Sequence, residues 1–414
     1  MTGSDMVRDL PVEENSADPP LWTTGFRLFF AARTVSLLGD AMIPVAITAA
    51  VIREGFGASG VGYALAALIA PFAALIIFGG VLSDRFGARR LMIISDAARL
   101  CFQALLALLF LGTPQLWQIL VLLSLVGAGG AIFQPGVASI TPRIARDVQK
   151  ANATLRISES ITIVIGPSLA GMLLVVASPA AVVAFDALTY AISGTCLLLL
   201  RSVRIGPARQ VDASFRADLV EGWREFRART WLWSVIVVFM LWQLAGAGPA
   251  LTLGYSSIVT DHGASTFGMV MSTFGAGSVL GGVVAFRLRP RHPFRAGALS
   301  MILWTLMPLG VAFDLPAPLL AGCYGVSGVG FTFWAVMFHT SVQTHIPEDV
   351  LGRVHAYDAA GSLVMKPIGQ ALAGPLAAIA GTVPLLYVSA STALIACALL
   401  LVIPAVRNLG RVER

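Results

Sequence analysis

The sequence predicts an all-helical integral membrane protein whose twelve transmembrane helices form two pseudo-symmetric six-helix bundles. Composition is the first observation: of 414 residues, 57% are hydrophobic and only 12% charged, with a mean hydropathy of +0.82. A soluble domain carries about 25% charge, so there is too little here to cover a surface in water. The second observation is length, because a spanning helix needs about 20 mostly apolar residues, and twelve leave roughly 170 for links and tails. The third is repetition at an offset of about 200 residues, which signals duplicated halves rather than a solenoid.

Apolar runs between punctuation predict spans at 27–52, 60–83, 91–111, 116–140, 157–177, 180–200, 231–259, 266–286, 296–313, 318–340, 354–379 and 383–406. Links after odd-numbered spans contain Arg53 and no other Lys or Arg. Those after even-numbered spans carry Arg85, Arg89 and Arg90, then Arg143, Arg146 and Lys150, then Arg201 to Arg229, Arg287 to Arg295, and Arg353. By the positive-inside rule both termini are cytoplasmic in the inner (plasma) membrane. The expected organisation is a cytoplasmic tail at 1–26, a bundle at 27–200, a cytoplasmic linker at 201–230, a second bundle at 231–406 and a tail at 407–414. Net charge is +6, but the basic residues are scattered singly and form no face interleaved with aromatics, so nucleic acid is not an expected partner. The lipid bilayer is.

Three echoes carry the duplication. GASGVG (57–62) recurs as GASTFG (263–268), GGVLSDRFGARR (79–90) as GGVVAFRLRPRH (281–292), and GPSLAG (166–171) is echoed in KPIGQALAG (366–374). Each falls at the same place relative to its spans. In the linker, Phe215, Leu219, Trp223 and Phe226 recur at helical spacing with charges on the other faces, which predicts a helix lying on the membrane surface.

Between spans two and three the residues Gly80, Asp84, Arg85, Gly87, Arg89 and Arg90 resemble the G-x-x-x-D-R-x-G-R-R loop of the major facilitator superfamily. Spans, halves and linker extend that likeness over the whole chain. The resemblance implies that Asp84 and Arg85 latch onto the start of span eleven near Asp358 when the cavity opens outward; the second copy has Phe286 where the aspartate would stand. Gly166, Pro167 and Gly171 resemble an antiporter motif associated with export, with its last glycine displaced by one position. The stretch 29–47, Gln134-Pro135 and Asn152 are similar to the bacterial drug/proton antiporter branch that contains macrolide and siderophore exporters. That likeness implies efflux of a hydrophobic or amphiphilic small molecule, drug or secondary metabolite, with protons as the coupling ion.

An ionisable group near the bilayer centre costs about 3 kcal/mol on insertion scales. At about 1.5 Å per residue, Arg33 and Glu159 lie at similar shallow depth and are expected to form a structural pair. Asp40 and Lys366 reach the middle from opposite halves. Asp40 is the candidate proton-coupling carboxylate and Lys366 its counter-charge. Asp96 and Arg99, three apart on span three, are expected to pair locally near the latch loop, while Asp186 has no assigned role. If the superfamily's pattern holds, the substrate cavity lies between the halves, with Phe133, Gln134, Trp242, Gln243, Trp334 and Phe338 as candidate lining. No Walker, HExxH or GxSxG string is present, and the four cysteines lie far apart in apolar runs, so no catalytic residue, metal or cofactor is expected. A monomeric proton-coupled exporter is the expected function. An importer or facilitator of a small solute, or a receptor without flux, is the alternative.

Overall fold

The computed structural model describes residues 21–145, 148–200, 223–224, 226–288, 290–346 and 348–410; the side chains at 77–85, 138, 148–149, 153, 156, 160, 164, 343 and 348–363 lie outside the description. The structure is helical, with no strand among the described residues. Six helices form the first half: Thr24–Arg53, Gly57–Phe86, Ala88–Leu109, Leu116–Ile144, Val148–Val176 and Pro179–Leu199. Among the described residues ten helices are long and apolar enough to cross a membrane. That number treats the 58-residue run Thr230–Arg287 as one and does not include Glu348–Ala380.

Spans one to six follow the predicted runs, with the fifth beginning nine residues earlier, at Val148. Sequence reading stops a span at its apolar limit, whereas the helix continues through polar residues beyond it. Span seven is not continuous α-helix. Thr230–Trp242 gives way to a π-helical turn at Gln243–Ala247, then to Gly248–Ser257 and a second π turn at Ile258–His262. Gly263, with φ +83°, ends this run in a conformation that glycine adopts at no steric cost. Span nine is interrupted by a 3-10 turn at Met301–Thr305. The last span ends at Val402 rather than 406: Pro404 forces Ile403 out of the α region, and a short turn Pro404–Arg407 follows.

The two halves meet mainly through span two against Glu348–Ala380 and span five against Gly263–Arg287. Both contacts are backbone to backbone. A Cβ on Gly62 or Gly374 would strike Gln370 or Ser59, and one on Gly171 or Gly268 would strike the other glycine. All four sit near the helix ends with the short links, in which Arg53 is the one Lys or Arg. There one apolar core joins Ile43, Ile47 and Val61 of the first half to Ile258, Phe267 and Tyr324 of the second. At the opposite end, where the basic links lie, the described cores are separate. One is built from Phe29, Met92, Phe133 and Leu197, the other from Trp231, Phe294, Trp334 and Phe338.

Of the expected linker helix, Phe215 and Leu219 lie outside the described residues. Phe226 is buried in the second core, with the Trp223 ring stacked on it at 5.7 Å.

Candidate functional site

Span three places Asp96, Arg99 and Gln103 on one buried face at spacings of three and four, and span six does the same with Asp186, Thr189, Tyr190 and Ser193. Packed together against span one, these faces surround Arg99, which is 3% exposed. Arg99 Nη2 donates to Asp96 Oδ1, and Nη1 lies 3.7 Å from Asp40 Oδ2. Its guanidinium is also sandwiched by two rings, 4.8 Å from the Phe133 centroid and 4.3 Å from that of Tyr190. Both contacts suit a delocalised planar cation better than a compact ammonium.

Each carboxylate has a hydroxyl donor as well. Ser193 Oγ donates to Asp96 Oδ2 at 2.6 Å, and Tyr190 Oη donates to Asp40 Oδ1 at 2.6 Å. Asp96 is fully buried while the Asp40 side chain remains 38% exposed. Asp40 is thus the member of the cluster that faces open space. Behind it, Asp186 is fully buried; the Gln103 side-chain amide meets its Oδ2 at 2.6 Å, and the Thr189 hydroxyl donates to its backbone carbonyl at 2.7 Å. Gly39 lets span one press against Asp186 and Thr189 with no Cβ between.

One cavity adjoins this cluster, and Lys366 links it to a second. The first, of about 290 Å³, is lined by Asp40, Phe72, Arg99, Gly130, Tyr190 and Lys366. The other, of about 280 Å³, lies in the second half between Phe239, Trp242, Tyr255, Trp304, Phe331 and Lys366, with Gln243 and Ser389 among its polar groups. Lys366 borders both. No carboxylate lies within 4 Å of its ammonium among the described residues. The aromatic wall is continuous, with Trp242 and Trp304 centroids 4.4 Å apart and Phe239 5.0 Å from Trp242. Its shape follows from the π turn at Gln243–Ala247, where Gly248 abuts Gly369 of Glu348–Ala380 and Ser389 Oγ donates to the Gly246 carbonyl. Such single π turns recur at functional sites.

Several expected residues stand elsewhere. Trp334 and Phe338 are buried in the aromatic core of the second half and Phe133 lies under Arg33 and Arg99, so none of the three lines either cavity. Aromatic content alone does not separate core from wall. Asp96 and Arg99 do pair, within the cluster that also holds Asp40 and Tyr190. Trp242 and Gln243 line the second cavity; Gln134 is part-buried and borders neither. Arg33 is buried with its guanidinium 5.8 Å from the Phe133 centroid, and the hydroxyls of the next residue, Thr34, and of Ser158, beside Glu159, meet at 2.6 Å.

In the loop motif, Gly87 takes φ +84° and separates spans two and three. Arg89 donates from Nε to the Leu197 carbonyl at 2.8 Å and from Nη2 to that of Leu198 at 2.9 Å, capping the end of span six. Arg90 is exposed, and the side chains of Gly80, Asp84, Arg85 and Asp358 lie outside the described residues. Gly166 fits against Ala41 and Leu38 of span one, so the antiporter-like motif forms a seam between spans five, one and eight.

The sequence profile of the Major Facilitator Superfamily matches residues 29–364. The chain is 22% identical over 370 residues to macrolide efflux protein A of Streptococcus pyogenes, covering 85% of this chain and 89% of that one. It is 25% identical to the multidrug efflux pump Tap of Mycolicibacterium fortuitum, covering 86% and 89%. To the enterobactin exporter EntS of Citrobacter koseri the identity is 23%, covering 85% of each. Among solved structures, the nucleoside transporter NupG superposes with a TM-score of 0.67 over 94% of this chain and 100% of its own at 14% identity. A POT family transporter gives 0.71 over 92% and 96% at 12% identity; these two likenesses concern the fold. The chain therefore belongs to the major facilitator superfamily and is a multi-pass membrane transporter of small molecules, with efflux pumps among its relatives.

Proposed function

We propose that the protein exports a hydrophobic or amphiphilic small molecule in exchange for protons, by alternating access between the halves 27–200 and 231–406, with both termini and the linker 201–230 in the cytoplasm. The observation that carries this reading is Asp40. It is a carboxylate at the cavity wall, held by Tyr190 and Arg99 but 38% exposed, and it shares that cavity with Lys366 from the other half. A proton on Asp40 and a substrate group drawn to its charge exclude one another, which is what exchange requires. The aromatic second cavity supplies an apolar seat with a few polar groups. Closure of the halves at the short-link end supports a conformation open toward the basic-link side. In the opposite conformation the latch of Asp84, Arg85 and Asp358 would form.

Reconstituted in vesicles with an imposed proton gradient, the protein is expected to accumulate a labelled macrolide or labelled enterobactin. Asp40→Asn is expected to lose uphill accumulation while keeping downhill exchange of the same compound. Uphill, uncoupler-sensitive transport by Asp40→Asn at wild-type levels would falsify the assignment of the proton to this carboxylate. For the latch, Asp84→Asn is expected to insert normally and transport more slowly; equal initial rates at equal membrane abundance would remove that role.

A further inference from the structure

Three carboxylates, Asp40, Asp96 and Asp186, lie in the first half around one arginine. Arg99 contacts Asp96 and Asp40. Asp186, fully buried, has no cation within 4 Å among the described residues. Its surroundings are Gly39 and Asp40 on span one, Asp96, Arg99 and Gln103 on span three, and Thr189 and Tyr190 on span six. Burying an ionised carboxylate that no cation compensates is among the most unfavourable arrangements available to a side chain. One amide and one hydroxyl already engaged with a backbone carbonyl do not offset it.

The contact with Gln103 can carry its proton from either side. Asp186 Oδ2 and the Gln103 side-chain amide are 2.6 Å apart, a length that the indole N–H of Trp117 also reaches on Gln115 Oε1. The two ends of a glutamine amide have the same shape, so which one faces Asp186 follows from its partner. Gln103 Oε1, the far end of the amide, is buried without a hydrogen-bond partner.

We infer that Asp186 is a second proton-holding site, a neutral carboxylic acid whose O–H donates to the side-chain oxygen of Gln103. With Asp186 neutral, Arg99 is left to the two carboxylates it contacts, Asp96 and Asp40. Asp186 is a positioning residue: it backs Gly39 and leaves Arg99 to serve Asp40 and Asp96. The inference deepens the proton-exchange reading but does not need it, because its test reads bound protons rather than flux.

Infrared spectroscopy of the full chain in lipid at neutral pH, with carboxyl-labelled aspartate, is the measurement. The carbonyl band of a protonated carboxyl is expected in the wild type, lost in Asp186→Asn and retained in Asp40→Asn. Absence of the band from the wild type, or its survival in Asp186→Asn, would each overturn the inference. If Asp186→Asn does not fold, Gln103→Leu decides: removing the acceptor is expected to move the band to higher frequency, and an unmoved band rejects the assignment.

Discussion

Arg99→Met is expected to lose most of its folded yield and to lower the midpoint of thermal unfolding in detergent by many degrees. The guanidinium is the cation beside Asp96, which is fully buried, and it also lies beside Asp40. Removing one member of a buried pair costs about 3–5 kcal/mol because the remaining charge is left uncompensated. Set against a total stability of about 5–15 kcal/mol, that is a large fraction. Two ring contacts go as well, each worth up to about 2 kcal/mol when desolvated. Arg99→Lys is expected to recover only part of the loss, since an ammonium cannot donate to Asp96 and lie flat between Phe133 and Tyr190 at once. Pairing Arg99→Met with Asp96→Leu removes the stranded carboxylate and is expected to restore stability beyond either single change. A wild-type midpoint for Arg99→Met would show that Asp96 draws its compensation from elsewhere.

What the sequence made legible was set by which physical signals are local. Apolar runs and link charges are local, and they placed the first six helices and the basic end. Two of the three echoes also proved informative in space. GASGVG (57–62) packs on the stretch containing Gln370 and Gly374, and GPSLAG (166–171) on GASTFG (263–268). Repeated segments pair crosswise, as a two-fold relation between halves demands. The partners of buried charges were not legible, because depth along a helix says nothing about the face a side chain presents. Depth matched Asp40 with Lys366, and both do border one cavity, but the cation beside Asp40 is Arg99, on another helix of the same half. A face-by-face reading of span three would have shown Asp96, Arg99 and Gln103 aligned. The aromatic wall was half legible: Trp242 and Gln243 stood out, whereas Phe239, one turn earlier on the same helix, did not, and Trp304 sits in the 3-10 turn that interrupts span nine. No hydropathy pattern announces that 3-10 turn.

Gly171→Leu tests whether the glycine seam sets the balance between conformations. At this position the backbones of spans five and eight touch with no side chain between them, so a Cβ on Gly171 lands on the Cα of Gly268. Neither helix has a flexible side chain there that can yield, and the added bulk must be met by separation of the halves. Overpacking a close contact costs about 1–3 kcal/mol, and about 1.4 kcal/mol is a tenfold change in an equilibrium constant. The conformation closed at the short-link end is therefore expected to lose about one to two powers of ten in population. Spin labels at Ala177→Cys and Asp261→Cys, in a background lacking the four native cysteines, are expected to report a wider separation in Gly171→Leu, and efflux is expected to fall at equal membrane abundance. Gly322→Leu provides the control: nothing lies within 4 Å of the Cβ it adds, and the same labels should read the wild-type distance. If Gly171→Leu leaves the label distance unchanged, the seam is a packing detail, and the balance between states is held by the charged cluster and the loop motif instead.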